Sequence, residues 1–213
     1  MKNARWLRWR LLLSLLLWAA VWLGAGAVAA YGQAAEASLS FGAGLFTNKN
    51  IGDLSAVGGT AGEILKLSSG FRLSARLDFN AWRYLSHEIG YGYQRSSLDF
   101  GSLGAKTGMN VHHVYYDLLL HARPEGSAIR PFVAGGGGFS TFYPPGASVF
   151  SGNGSTKFGL NGGAGIKVRI KPTYGLRFDV RDYINGKPNP YSLPGVSGLL
   201  QNVEASVGFS ILF

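Results

Sequence analysis

The chain has 213 residues, with 20 Lys and Arg against 11 Asp and Glu, and no cysteine. That length admits one domain or two, and the lack of cysteine excludes a fold stapled by disulfides. Lys2, Arg5, Arg8 and Arg10 precede the first apolar run and all the acids follow it. Beyond this leader 16 basic residues face 11 acidic ones, so the formal charge of +9 falls to about +5, with no basic cluster of the kind that reads nucleic acid.

Leu11 to Leu23 is apolar but for Ser14, and Gly24 to Ala35 is small and helix-weakening, with Ala27-Val28-Ala29 and Val28-Ala29-Ala30 as cleavage patterns. This is the layout of a helical secretory signal peptide over residues 1–35, cleaved between about 29 and 35, followed by a mature domain over 36–213. An uncleaved anchor is the alternative, because Leu11 to Ala35 carries no charge and is long enough to span a bilayer. After it no apolar run approaches the length of a membrane helix, so any further insertion is by strands.

Strand periodicity then dominates. Leu39, Phe41, Ala43 and Leu45 alternate with Ser40, Gly42 and Gly44, and a Gly-, Ser- and Asn-rich stretch from Thr47 to about Ser69 reads as a long loop. Phe71, Leu73, Ala75, Leu77 and Phe79 alternate with Arg72, Ser74, Arg76, Asp78 and Asn80; a helix would spread those charges around its girth, whereas a strand sets them on one side. After a short connection, Ile89, Tyr91 and Tyr93 oppose Glu88, Gly90, Gly92 and Gln94, and a second loop runs from about Ser96 to Met109. The fourth strand sets Val114, Tyr116, Leu118 and Leu120 against His113, Tyr115, Asp117, Leu119 and His121, before the tight turn Arg123 to Ser127.

In the fifth, Pro131 to Phe142, the run Gly135 to Gly138 blurs the faces and leaves them unassigned. A loop from Tyr143 to about Ser155 leads to the sixth, where Phe158, Leu160, Ala164, Ile166 and Val168 oppose Lys157, Asn161, Lys167 and Arg169. Lys171-Pro172-Thr173 turns the chain into Leu176, Phe178 and Val180 against Arg177, Asp179 and Arg181. After a Pro-containing loop, Asn185 to Leu200, the last strand sets Val203, Ala205, Val207, Phe209, Ile211 and Phe213 against Glu204, Ser206, Gly208 and Ser210. Long loops follow strands one, three, five and seven, and short turns follow two, four and six. The pattern predicts an all-β, eight-stranded antiparallel up-and-down transmembrane β-barrel. A soluble eight-stranded barrel has the same count with the faces reversed, and the faces alone do not choose between the two.

The choice follows from a resemblance. Phe209, Ile211 and Phe213 match the assembly signal of outer-membrane barrels, a terminal aromatic with apolar residues at alternate positions before it. With Arg177 to Tyr183, Gly208 to Phe213 and Pro131 to Gly137, the mature chain from Leu39 onward resembles the small outer-membrane β-barrel superfamily, the type of the OmpA transmembrane domain, OmpX and the opacity-like proteins. The resemblance implies contact with outer-membrane lipid in a bacterial outer membrane, and insertion by the barrel-assembly machinery with periplasmic chaperones. It implies no single activity. The peptidoglycan-binding domain that follows the barrel in full OmpA-type proteins is not matched, so direct cell-wall anchoring is not expected.

An eight-stranded barrel has room inside only for side chains. The predicted lumenal charges are Arg72, Arg76, Asp78, Glu88, Asp117, Lys167, Arg169, Arg177, Asp179, Arg181 and Glu204, with Lys157, His113 and His121. Charges of both signs in a narrow space of low dielectric must pair, which predicts a plug of salt bridges. Seven bases against five acids in this set leave some cations to meet water or phosphate, and a narrow anion-preferring pore is the alternative. Trp82, Tyr84, Tyr91, Tyr93, Tyr116, Phe142, Tyr143, Tyr174 and Tyr183 are expected in interface girdles, with Tyr115 pointing inward.

No cofactor, metal or catalytic residue is expected. Adjacent His112 and His113 point to opposite faces of a strand and cannot easily share an ion. No histidine has a serine two residues on, the pair found in barrel enzymes that trim lipid A. The leading expectation is a monomeric, non-enzymatic barrel with a structural or surface-interaction role; a small channel is second, and a lipid-modifying enzyme a remote third.

Overall fold

A computed structural model describes residues 35–47, 49–53, 64–100, 106–146, 154–189 and 196–213. The expected leader, and parts of the four loops, lie outside the described residues. The strands are β1 (Ala35–Phe46), β2 (Asn50–Asp53), β3 (Ile64–Leu67), β4 (Gly70–Trp82), β5 (Leu85–Asp99), β6 (Lys106–His121), β7 (Ile129–Tyr143), β8 (Ser155–Lys171), β9 (Tyr174–Gly186) and β10 (Leu199–Leu212). Eight of them close into an antiparallel barrel: β4, β1, β10, β9, β8, β7, β6 and β5 are neighbours in that order, and β5 pairs back onto β4. The first strand meets the last from Glu36↔Leu212 to Phe46↔Asn202, so no edge is left in the wall.

One end of the barrel has short connections, at Arg83-Tyr84, 122–128 and Pro172-Thr173, and the other carries the long ones. At this loop end the structure departs from the sequence expectation. Within 47–69, β2 and β3 form a hairpin that pairs onto the end of β5 through Lys66↔Asp99 and Leu67↔Leu98. Four-residue strands offer too few alternations to stand out from a Gly- and Ser-rich background. The second loop also shrinks to 100–105, because β5 and β6 stay paired up to Asp99↔Lys106 despite their polar composition.

The strands bury their polar faces and expose their apolar ones. Leu39, Phe41, Leu77, Val114, Leu120, Val133, Leu160 and Val180 lie on the outside, many more than half exposed, while Arg72, Arg76, Asp78 and Glu204 are sealed from solvent. Such a continuous apolar wall is untenable in water and stable in lipid, where strands can cross only if every backbone group is paired around a closed ring. In β7 the inward positions are Arg130, Phe132, Ala134, Gly136, Gly138, Ser140 and Phe142. Its faces are unreadable in sequence because apolar residues lie on both sides of the glycine run and remove the contrast.

Val180 lies at the middle of β9 with 57 % of its surface exposed. Val180→Arg is expected to destabilise the refolded barrel by about 2–4 kcal/mol, the cost of a cation at the bilayer midplane. Urea titration in lipid vesicles, followed by the fluorescence of Trp82, measures it.

Candidate functional site

The barrel interior has two zones. At the loop end, inward residues from seven elements make an apolar cap: Phe46, Ile51, Leu65, Leu67, Leu98, Met109, Val111, Phe142 and Leu200, each 2 % exposed or less. Below it lies a ladder of buried charge. Every barrel strand except β7 contributes a charged residue to it.

The ladder can be followed from the turn end. Lys167 Nζ bonds Glu36 at 2.7 Å and Asp78 at 2.5 Å. Asp78 also accepts from Arg177 Nη1 at 2.7 Å, and Arg177 reaches on to Glu88 at 2.5 Å and Asp179 at 2.8 Å. Arg181 contacts Glu88 at 2.7 Å and Asp179 at 3.2 Å, and pairs with Asp117. Arg76 donates to Tyr115 Oη at 2.8 Å, to Ser40 Oγ at 3.0 Å and to Glu204 at 2.6 Å. Glu204 is the upper hub, bound also by Arg72 at 2.9 Å and by the Tyr183 hydroxyl at 2.9 Å, with Ser74 and Ser206 donating to its other oxygen.

Six carboxylates (Glu36, Asp78, Glu88, Asp117, Asp179, Glu204) thus meet five cations (Arg72, Arg76, Lys167, Arg177, Arg181). Near-neutral pairing is what burial demands, since each unpaired ion in this space costs several kcal/mol. Aromatic faces supply the rest: the Arg72 guanidinium lies 4.4 Å from the Tyr183 ring centre, and that of Arg177 lies 5.0 Å from the ring centre of Phe132 on β7. Glycine makes the large side chains fit. A Cβ at Gly90 would fall 2.0 Å from Tyr115 Cζ, and one at Gly92 would fall 2.6 Å from Arg72 Nη2. A cavity of about 10 Å³ beside His113, Ser140, Asn161 and Asn185 has space for about one water.

Of the predicted lumenal charges, ten stand in the ladder. Arg169 does not: β8 loses register between Arg169 and Lys171, and the Arg169 side chain turns to the carbonyl of Gly126 at the turn end. Lys157 is half-buried near the loop end, outside the ladder. Glu36 is the member that sequence reasoning missed. Its signal was the alternation Glu36, Ser38, Ser40 on β1, which begins earlier than the apolar run that announces the strand. Two expected girdle residues are instead inside: Tyr183 shares the face of Arg177, Asp179 and Arg181, and Phe142 belongs to the cap.

The histidines separate as their adjacency requires. His113 is buried against Ser140 Oγ at 2.8 Å, and His112 lies outside against the Tyr91 hydroxyl at 2.7 Å. His121 Nε2 meets Ser86 Oγ at 2.9 Å and that serine donates to Asn80 at 2.7 Å, but His121 Nδ1, where a triad would place its carboxylate, has no hydrogen-bond partner among the described residues. Phe209 and Ile211 face outward beside the closing seam, and the Phe213 N–H donates to the Ala35 carbonyl at 2.9 Å.

A polar-cored, apolar-walled closed barrel with short turns at one end and long loops at the other defines the class of outer-membrane barrels. Consistent with this, residues 18–213 match the outer membrane protein beta-barrel domain family, and the chain belongs to it. Among solved structures it is similar to the outer membrane protein OprG from Pseudomonas aeruginosa, with 17% identity, 85% of this chain and 97% of that one covered, and a TM-score of 0.57. It is also similar to Neisserial surface protein A (NspA), with 13% identity, 86% and 98% covered, and a TM-score of 0.59. At these identities the likeness shows the fold alone. No curated protein matches the chain.

Arg177 touches three carboxylates, so Arg177→Met strands several buried charges at once. The expected loss is about 3–5 kcal/mol, and adding Asp179→Asn to the same chain restores part of it. Urea unfolding of the single and double variants in vesicles measures both.

Proposed function

We propose that this protein is a closed, monomeric outer-membrane barrel, exported by a cleaved signal peptide, whose role is structural and at the cell surface. The observation that carries this reading is the filled interior: the charge ladder and the apolar cap lie in series, and an ion would have to break both. Four loop segments leave from the cap and offer the surface on which a partner would act. The role is not enzymatic; the buried Ser–His contacts, Ser86–His121 and Ser140–His113, lie within the packed lumen and lack a carboxylate partner. Assembly machinery and periplasmic chaperones are its partners during biogenesis, and lipid is its partner afterwards.

A conducting pore is the rival. Conductance across a planar bilayer, with the detergent-refolded full chain, separates the two. The bilayer is expected to stay silent while the same preparation runs as folded protein on an unheated gel. Discrete openings whose ion preference changes in Arg76→Ala would overturn the closed reading.

A further inference from the structure

The outer wall carries a second polar constellation, remote from the lumen in character. Toward the loop end the outward positions of β5 are Tyr91, Tyr93, Arg95 and Ser97, facing Val114, His112, Asn110 and Gly108 on β6, with Lys106 beyond, opposite Asp99. The Tyr93 hydroxyl donates to Asn110 Oδ1 at 3.0 Å, and Arg95 Nη1 donates to the same oxygen at 2.7 Å. His112 sits edge-on between Tyr93 and Tyr143. A Cβ at Gly108 would come within 2.6 Å of Arg95 Nη2, so the glycine lets the guanidinium lie flat across the strand. Lys106 is two-thirds exposed, 3.8 Å from Asp99, and Lys66 of β3 is exposed across the ladder from that aspartate.

Height matters here. From Leu85, where β5 begins, to Arg95 is about 34 Å along a strand at roughly 3.4 Å per residue. At a tilt of about 40° that is about 25 Å along the barrel axis, the height of the apolar band, so Arg95 stands at the headgroups of the outer leaflet. General snorkelling would scatter cations around the rim. Instead, the described loop ends of the other barrel strands turn residues such as Leu45, Phe71, Phe158, Asp182 and Gln201 outward, with Lys157 and Lys187 half-buried beside β9.

We propose that the β3–β5–β6 face of the wall binds a phosphorylated lipid headgroup of the outer leaflet, with Arg95, held flat over Gly108 by Asn110, as its anchor and Lys106 and Lys66 as flanking cations. A guanidinium with four N–H donors still free of Asn110 suits a phosphate, and its fixed orientation lowers the ordering cost of binding. The tyrosines beneath it suit the sugar and upper acyl region of such a lipid.

Native mass spectrometry of the detergent-refolded full chain, titrated with diphosphoryl lipid A and with its dephosphorylated form, tests this. One phosphorylated lipid is expected to bind per barrel, and Arg95→Gln with Lys106→Gln is expected to weaken it about 10- to 30-fold. Gly108→Ala, which keeps every charge and displaces only the guanidinium, is expected to weaken it several-fold. Folding of each variant is checked by gel mobility without heating. Equal binding of the phosphate-free lipid, or undiminished binding by the folded double variant, would overturn the proposal.

Discussion

Neutralisation of charge in a space without water is the constraint on which the rest of this structure depends. Five cations and six carboxylates occupy a tube too narrow to hydrate them, so they find counter-ions across the lumen and, where Asp179 stands between Arg177 and Arg181, along the same strand. That requirement explains features that look unrelated. Glycines on the inner faces of β5 clear space for Tyr115 and Arg72. β7, which adds no ion to the ladder, offers Phe132 and its glycines to the arginines opposite, and serines on β1, β4 and β10 fill the remaining hydrogen-bond positions.

The apolar cap answers a different need. Above the lipid the wall projects into water, and the inward face changes from charge to hydrocarbon at Met109, Val111, Leu98 and Phe142. The molecule therefore has two cores with opposite logic: an ionic one inside the membrane and a conventional hydrophobic one outside it. The small β2–β3 hairpin is recruited into the second, which anchors an otherwise irregular loop through Ile51, Leu65 and Leu67.

Much of the barrel was legible because a strand in a closed sheet has one lipid face and one lumenal face, and Arg72 to Asn80 or Leu176 to Arg181 display that contrast residue by residue. Legibility failed where the contrast vanished. The glycine run of β7 has no side chains to compare, and at the loop end the inward face turns apolar, so polarity no longer marks the lumen. There Phe142 was misread as a girdle residue when it is part of a core. Glu36 was hidden because alanines, rather than large apolar residues, flank it. Which carboxylate meets which guanidinium was never in the pattern, since partners such as Glu204 and Arg76 are set by the register of strands far apart in the chain.

The pairing of β1 with β10 bears on how the chain is made. Glu204, the hub for Arg72 and Arg76, and Glu36, the partner of Lys167, sit on the two strands that meet only when the ring shuts. A nascent barrel lacking its final strand would hold Arg72 and Arg76 without their main counter-ion. Sealing the seam and balancing the charge are therefore one event, and the arginines stay electrostatically exposed until β10 takes its place beside β1.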